Sequence, residues 1–162
     1  MDIAAHTKTI RVGTGGVAVP DWHPLRLAED IAILDIASGG RLDCGVMKGA
    51  SKRTNIQLFQ QHDDPSATQE IFAEVIHILI DAWKDGPFSH KGKFYQFPVP
   101  GFKETNPLLN GDARYYANDG EYIAMTVHPK PLQKPHPPLF MLGDSLSSHE
   151  FGAKYAMPVM CY

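Results

Sequence analysis

Residues 9–49 read TIRVGTGGVAVPDWHPLRLAEDIAILDIASGGRLDCGVMKG, and the fold turns on this stretch. Residues 9–13 alternate, with Ile10 and Val12 on one side, as a half-buried strand does. Gly13, Gly15 and Gly16 end that strand, and residues 17–20 continue extended. Pro20 and Pro24 hold off a helix until about Leu25. Over residues 25–38, Leu27, Ala28, Ile31, Ala32 and Leu34 fall on one helical stripe, opposite Arg26, Glu29 and Asp30. Gly39 and Gly40 stop the helix. Residues 41–47 form a second strand with Leu42, Cys44 and Val46 on one face, and Lys48, Gly49, Ala50 and Ser51 make the loop beyond it. The stretch is one strand–loop–helix unit opening onto another.

Two residues break the helical stripe. Ile33 falls among the charges, as a lone surface residue or as a subunit contact. Asp35 falls inside the stripe, where a carboxylate has to be hydrogen-bonded or paired. Arg41, or the backbone N–H groups of Ser38, Gly39 and Gly40, are its nearest candidate partners. Upstream, residues 3–6 read as the tail of a helix.

The same pattern recurs downstream. Asp64 before Pro65 is a helix start, and Ser66 with Gln69 has capping-box spacing. This helix runs to about Lys84, burying Phe72, Val75, Ile76, Leu79 and Trp83, with Glu70, Glu74, His77 and Asp81 expected to face water. Residues 86–138 then change character: most of the 13 prolines lie here among Gly, Asn and aromatics. FSHKGKFYQF predicts a hairpin turning at Lys91 and Gly92, and residues 122–127 a further extended piece. A stretch this long without a helix is a functional lid or an excursion, and it is expected to shape the substrate pocket. The strand–helix pattern resumes with a strand at 138–143, a short helix at 145–155 and a strand at 157–162.

Strands alternating with helices predict a parallel α/β sheet, and in such folds ligands sit at the carboxyl ends of the strands. Three loops gather there: GTGG (13–16), KGAS (48–51) and GDSLSS (143–148). The last opens a helix. Its backbone N–H groups and the hydroxyls of Ser145, Ser147 and Ser148 make an anion site, to which Lys48 can add a cation.

Other chemistries are weaker. The net charge of −3 offers no basic footprint for nucleic acid or an anionic membrane. No apolar run is long enough to span a bilayer. Two cysteines without C-x-x-C spacing leave a reduced, cytoplasmic setting as the expectation. Cys44 reads as a small buried residue, and the eight histidines show no metal-ligand spacing. His23, before Pro24 in a loop at the site end, reads as a helix-entry or loop-packing residue in preference to a catalytic one. Gly13-x-Gly15-x-x-Ala18 imitates a dinucleotide fingerprint but does not open into a helix. Gly143, Asp144, Ser145 and Leu146 spell the block of the GDSL-type ester hydrolases, but no Asp-x-x-His follows.

The run from Ile10 to Gly49 resembles the bacterial luciferase-like monooxygenases, as do the helix at 70–83, WKDGPFSHKGKFYQF and PLQKPHPPLFMLGDSLSSHEFGAKYAMPVM. The resemblance implies an α/β fold, a (β/α)8 TIM barrel. Such a barrel takes about 250 residues. The 162 residues here would form one domain truncated at both ends, a partial barrel of about four parallel strands with a Pro/Gly-rich insertion at roughly 86–137. It implies a flavin-dependent monooxygenase in which reduced FMN, supplied by a flavin reductase, and O2 oxygenate a small organic substrate. Relatives using the deazaflavin F420 are the alternative, as is a non-catalytic flavin-binding or partner subunit of the same fold; the full-length protein is expected to dimerise.

By the same resemblance, Gly15 and Gly16 stand where the family has a strained, often cis, peptide against the flavin ring, with Met47 beside it. Lys48 stands where luciferases carry a phosphate-binding arginine, and Gly143, Asp144, Ser145 and Ser148 match the phosphate loop. Two departures matter. Lysine lacks the bidentate fork of arginine, and Gln69 replaces a second phosphate-facing arginine. No catalytic residue is assigned.

Overall fold

The computed structural model describes residues 2–49 and 65–161. The expected Asp64 cap, the Ser66 side chain and the Ala50–Ser51 end of the second loop lie outside the described residues. In chain order the elements are α1 (Asp2–His6), β1 (Val12–Gly13), β2 (Val17–Ala18), a 3-10 turn (Val19–Asp21), α2 (Pro24–Ser38), β3 (Leu42–Met47) and α3 (Pro65–Trp83). A hairpin of β4 (His90–Lys91) and β5 (Gln96–Phe97) follows, then β6 (Leu139–Leu142), α4 (Leu146–Lys154) and β7 (Val159–Met160).

The main sheet runs β1–β3–β6–β7, with β2 also on β3, and every pairing in it is parallel. β1 and β2 share one strand position. Val12 and Gly13 pair with Leu42 and Asp43, then Val17 and Ala18 pair with Val46 and Met47. The first chain carries one residue more than β3 between these pairs, as in a bulge. Thr14 fills the break: its hydroxyl donates to Gly45 O and accepts from Gly45 N, both at 2.9 Å. Gly45 permits this approach, because a Cβ there would lie 2.4 Å from Thr14 O. Four parallel strand positions with helical crossovers are the partial barrel expected from the sequence. The first strand begins later than expected, at Val12. Ile10 is exposed, and its carbonyl accepts from Arg41 Nη1 at 2.5 Å instead of joining the sheet.

Alternation sorts the strand side chains. Leu42, Cys44 and Val46 of β3 and Leu139 and Met141 of β6 turn to the helices, where they join Leu27, Ala28 and Ile31 of α2 and Phe72, Val75, Ile76, Leu79 and Trp83 of α3. Full burial of each large side chain contributes about 1.5–3 kcal/mol. Trp83 Nε1 donates to Ala28 O at 3.0 Å, fixing α3 on α2. α2 opens with Pro24 at its first turn after His23, and it closes where Gly39 N donates to Ile36 O at 2.9 Å. Burial pushes the Cys44 thiol up to about 12, so it is an inert core group.

Three expectations change. Asp35 is fully buried as anticipated, but its partner is neither Arg41 nor the glycine turn. Its carboxylate accepts from Gln133 N at 2.9 Å and Gln133 Nε2 at 2.7 Å. Arg41 instead reaches the carbonyls of Ala4, Thr7 and Ser38, tying α1 to the end of α2. Glu74 does not face water. It accepts from the backbone N–H groups of Lys93, Phe94 and Tyr95 and pairs with His90 at 3.1 Å. The reason is the hairpin, whose turn over residues 92–95 lies against α3 and aims its unpaired N–H groups at that carboxylate. The insertion therefore begins by packing on the helical layer. Tyr95 and Phe97 then set their ring edges against His23, at centroid distances of 6.5 and 5.6 Å. His77 is exposed as read, with Tyr155 OH 3.2 Å from Nε2.

Candidate functional site at the carboxyl ends of the strands

β6 ends at Leu142, and the next residues turn into α4. Ser145 is the N-cap of that helix, in an extended conformation (φ −75°, ψ 149°), and its Oγ accepts from Ser148 N at 3.3 Å. This is how serine caps a helix. The Ser145 hydroxyl also lies 3.0 Å from Ser147 Oγ and 2.9 Å from Ser148 Oγ. Three hydroxyls therefore cluster over the first turn of α4, where the helix dipole favours an anion. Gly143 (φ +153°) makes room: a Cβ there would lie 2.6 Å from Ser148 Oγ.

β3 ends one strand away, and its next residue is Lys48. The ammonium crosses to the serine cluster and donates to Ser147 Oγ at 2.7 Å. Burial pulls the Lys48 pKa below its ordinary value. An anion in the cluster would offset that cost. Among the described residues, Lys48 meets this hydroxyl and no carboxylate.

The third loop adjoins the other two. Gly16 lies against Met47: a Cβ on Gly16 would stand 3.0 Å from Met47 Sδ and 3.5 Å from a methyl of Leu142. The ends of β2, β3 and β6 thus meet at bare backbone, one thioether and a leucine methyl. The cis peptide bonds among the described residues all precede proline, at Pro98, Pro129 and Pro135, so the bond between Gly15 and Gly16 is trans. The family's frequent cis geometry is not found here.

Of the residues singled out in the sequence, the structure brings together Gly16 with Met47, and Lys48 with Gly143, Ser145 and Ser148. Ser147, named with Ser145 and Ser148 in the anion site read from the serine run but absent from the set the resemblance implied, is the hydroxyl that Lys48 touches. Gly15 and Asp144 are exposed neighbours on the same rim. Gln69 is exposed on α3, bordering a groove with Ala73, Phe151 and Lys154. The donor set of one ammonium, three hydroxyls and a helix N-terminus fits a phosphate ester. It does not fit a serine hydrolase, because among the described residues Ser145 Oγ touches two serines and no imidazole.

Comparison with known proteins bears on the family and the fold. The chain is 35% identical over 153 residues to the oxygenase component of a flavin-dependent trigonelline monooxygenase from Acinetobacter baylyi, covering 94% of this chain and 35% of that protein. It is 29% identical over 136 residues to an FMNH2-dependent dimethylsulfone monooxygenase of Pseudomonas putida, covering 82% of this chain and 30% of that one. The oxygenating constituent of 3,6-diketocamphane monooxygenase from Pseudomonas putida, solved with FMN, superposes with a TM-score of 0.72 at 19% identity, over 99% of this chain and 40% of that chain. The chain thus spans about a third of the length of these curated relatives. The family model described as luciferase-like monooxygenase matches residues 3–162, and the chain belongs to that family.

Proposed function

We propose that this chain forms the FMN-phosphate end of a flavin-dependent monooxygenase, an enzyme that uses reduced FMN and O2 to oxygenate a small organic substrate. The observation carrying this reading is the Lys48–Ser147 contact, which joins two strand ends into one anion cradle. Lys48, the hydroxyls of Ser145, Ser147 and Ser148, and the N–H groups at the start of α4 hold the phosphate. Gly15, Gly16 and Met47 offer a flat, uncharged wall for the ring. Gly143 and Asp144 shape the loop. When bound, the flavin supplies the oxygen chemistry, while this chain positions it and keeps water from the ring.

A flavin reductase is the partner that would deliver reduced FMN. The setting proposed is the cytoplasm, where reduced flavin and reductase are at hand. Residues 1–162 are read as one luciferase-like domain, with the insertion at roughly 86–137.

The test is calorimetric titration with FMN and riboflavin, which differ only in the phosphate. Lys48→Ala with Ser145→Ala is expected to weaken FMN binding while leaving riboflavin binding nearly unchanged. Equal loss for both flavins removes the phosphate assignment. Reductase-coupled oxygen consumption that depends on added organic substrate then separates an oxygenase from a flavin-binding subunit without turnover. Preference for F420 over FMN in the same titration would favour the deazaflavin reading.

A further inference from the structure

The segment that enters α2 is poorly fastened by its own side chains. His23 is the N-cap of α2 but makes no side-chain capping bond, and the 3-10 turn before it (Val19–Asp21) starts without one as well. Asp21 Oδ1 is buried there with no hydrogen-bond partner. Missing caps and orphaned polar atoms leave a segment dependent on whatever packs against it. This one leads back through β2 to Gly15 and Gly16, the wall proposed for the flavin ring.

The hairpin supplies the outside hold. Tyr95 and Phe97 meet the His23 ring at interplanar angles of 84° and 67°, and their own rings stack 5.9 Å apart. With two paired residues per strand, such a hairpin has little stability of its own. Glu74 of α3 fixes it, accepting from Lys93 N at 3.0 Å, Phe94 N at 3.1 Å, Tyr95 N at 2.8 Å and His90 Nε2 at 3.1 Å. Gly92 lets the turn come this close, because a Cβ there would collide with Glu74 Oε1.

We propose that Glu74, through the turn at Gly92 and the rings of Tyr95 and Phe97, is a positioning residue for the flavin-ring loop at residues 13–23. A carboxylate on the outer face of α3 thereby sets the place of Gly15 and Gly16 without touching the ligand. Such coupling is carried by packed side chains and hydrogen bonds in contact with one another. What the loop touches rests on the monooxygenase reading; that the hairpin holds the loop does not.

Four variants separate the links. Glu74→Gln weakens the carboxylate anchor, Gly92→Ala blocks the close approach, Phe97→Ala keeps the anchor but removes a ring from His23, and Phe97→Tyr keeps the ring. Amide hydrogen exchange of the flavin-free 162-residue chain is followed by nuclear magnetic resonance. The reporters are the N–H groups of Thr14, Trp22 and Leu27, which donate to Asp43 O, Val19 O and His23 O. The first three variants are expected to speed their exchange at least about fivefold, while Cys44 N, bonded to Pro138 O in the sheet, is unchanged. Phe97→Tyr is expected to exchange as the native chain does. In calorimetric titration the first three variants are expected to weaken FMN and riboflavin by the same factor, about threefold or more, unlike Lys48→Ala with Ser145→Ala, which weakens FMN alone. Unchanged exchange at Trp22 and Leu27 in Glu74→Gln and Phe97→Ala, or faster exchange with both flavin affinities unchanged, would overturn the proposal. A native chain that binds neither flavin instead removes the monooxygenase reading, while the exchange rates still decide whether Glu74 positions the loop.

Discussion

The two ends of the parallel sheet use polar groups in opposite ways. At the amino ends, polar side chains satisfy one another. Arg11 makes a two-pronged pair with Asp43, at 2.8 and 2.7 Å, and also donates to Gln133 Oε1 at 3.0 Å. Gln133 in turn donates to Leu42 O and to the buried Asp35 carboxylate, both at 2.7 Å. At the carboxyl ends, a partly buried lysine leans on one serine hydroxyl in a cluster of three. A closed network at one end and an ammonium without a counter-charge among the described residues at the other is the division of stability from binding that the proposed flavin site requires. The lesson is that saturation of hydrogen bonds, rather than polarity itself, tells a structural polar cluster from a ligand site.

If that contrast holds, substitutions at the two ends separate cleanly. The largest effect is expected for Asp35→Ala, which strands two donors of Gln133 beneath α2. A loss of about 3 kcal/mol is expected in urea unfolding, with flavin affinity unchanged. A change below about 1 kcal/mol would break the comparison.

Next is the double variant Lys48→Ala and Ser145→Ala. Roughly a hundredfold loss of FMN affinity is expected, from removing a cation and a hydroxyl that would donate to the phosphate, with little change for riboflavin.

Glu74 provides an intermediate test on the outer layer. Burial pushes its carboxyl up, but the hydrogen bonds from His90, Tyr95 and Phe94 together outweigh this and leave it below the usual 4.5. A carboxyl lowered on folding stabilises above its unfolded value and loses that contribution as the pH falls through the folded one. Glu74→Gln is therefore expected to cost about 1–2 kcal/mol at neutral pH and to flatten the stability loss below about pH 4.5. An acid limb as steep as that of the unsubstituted chain would contradict the role given to the hairpin anchor. Arg11→Ala is the smallest. Its pair with Asp43 is half open to solvent, so less than about 1 kcal/mol is expected, shrinking with added salt.

Periodicity made much of this architecture legible. Leu27, Ala28, Ile31 and Ala32 recur at helical spacing, and Leu42, Cys44 and Val46 at strand spacing, so both buried faces could be named from residue order. The serine loop was legible too, because a helix N-cap is a local event. Glu74 was misread for the complementary reason. Its helical position points outward, and only a hairpin about twenty residues later turns that outward face into an interior one.

The sequence by itself determined the order of elements, their apolar faces and the three loops that end the strands, since each depends on neighbours within a few residues. Tertiary structure alone decided that Lys48 reaches Ser147, that Gln133 rather than Arg41 satisfies Asp35, and that Cys161 meets His149. Those partners stand 12 residues apart for Cys161 and His149, 98 for Gln133 and Asp35, and 99 for Lys48 and Ser147. Hydrogen bonds require atoms within about 3 Å. Only the parallel register of the strands brings such distant residues that close.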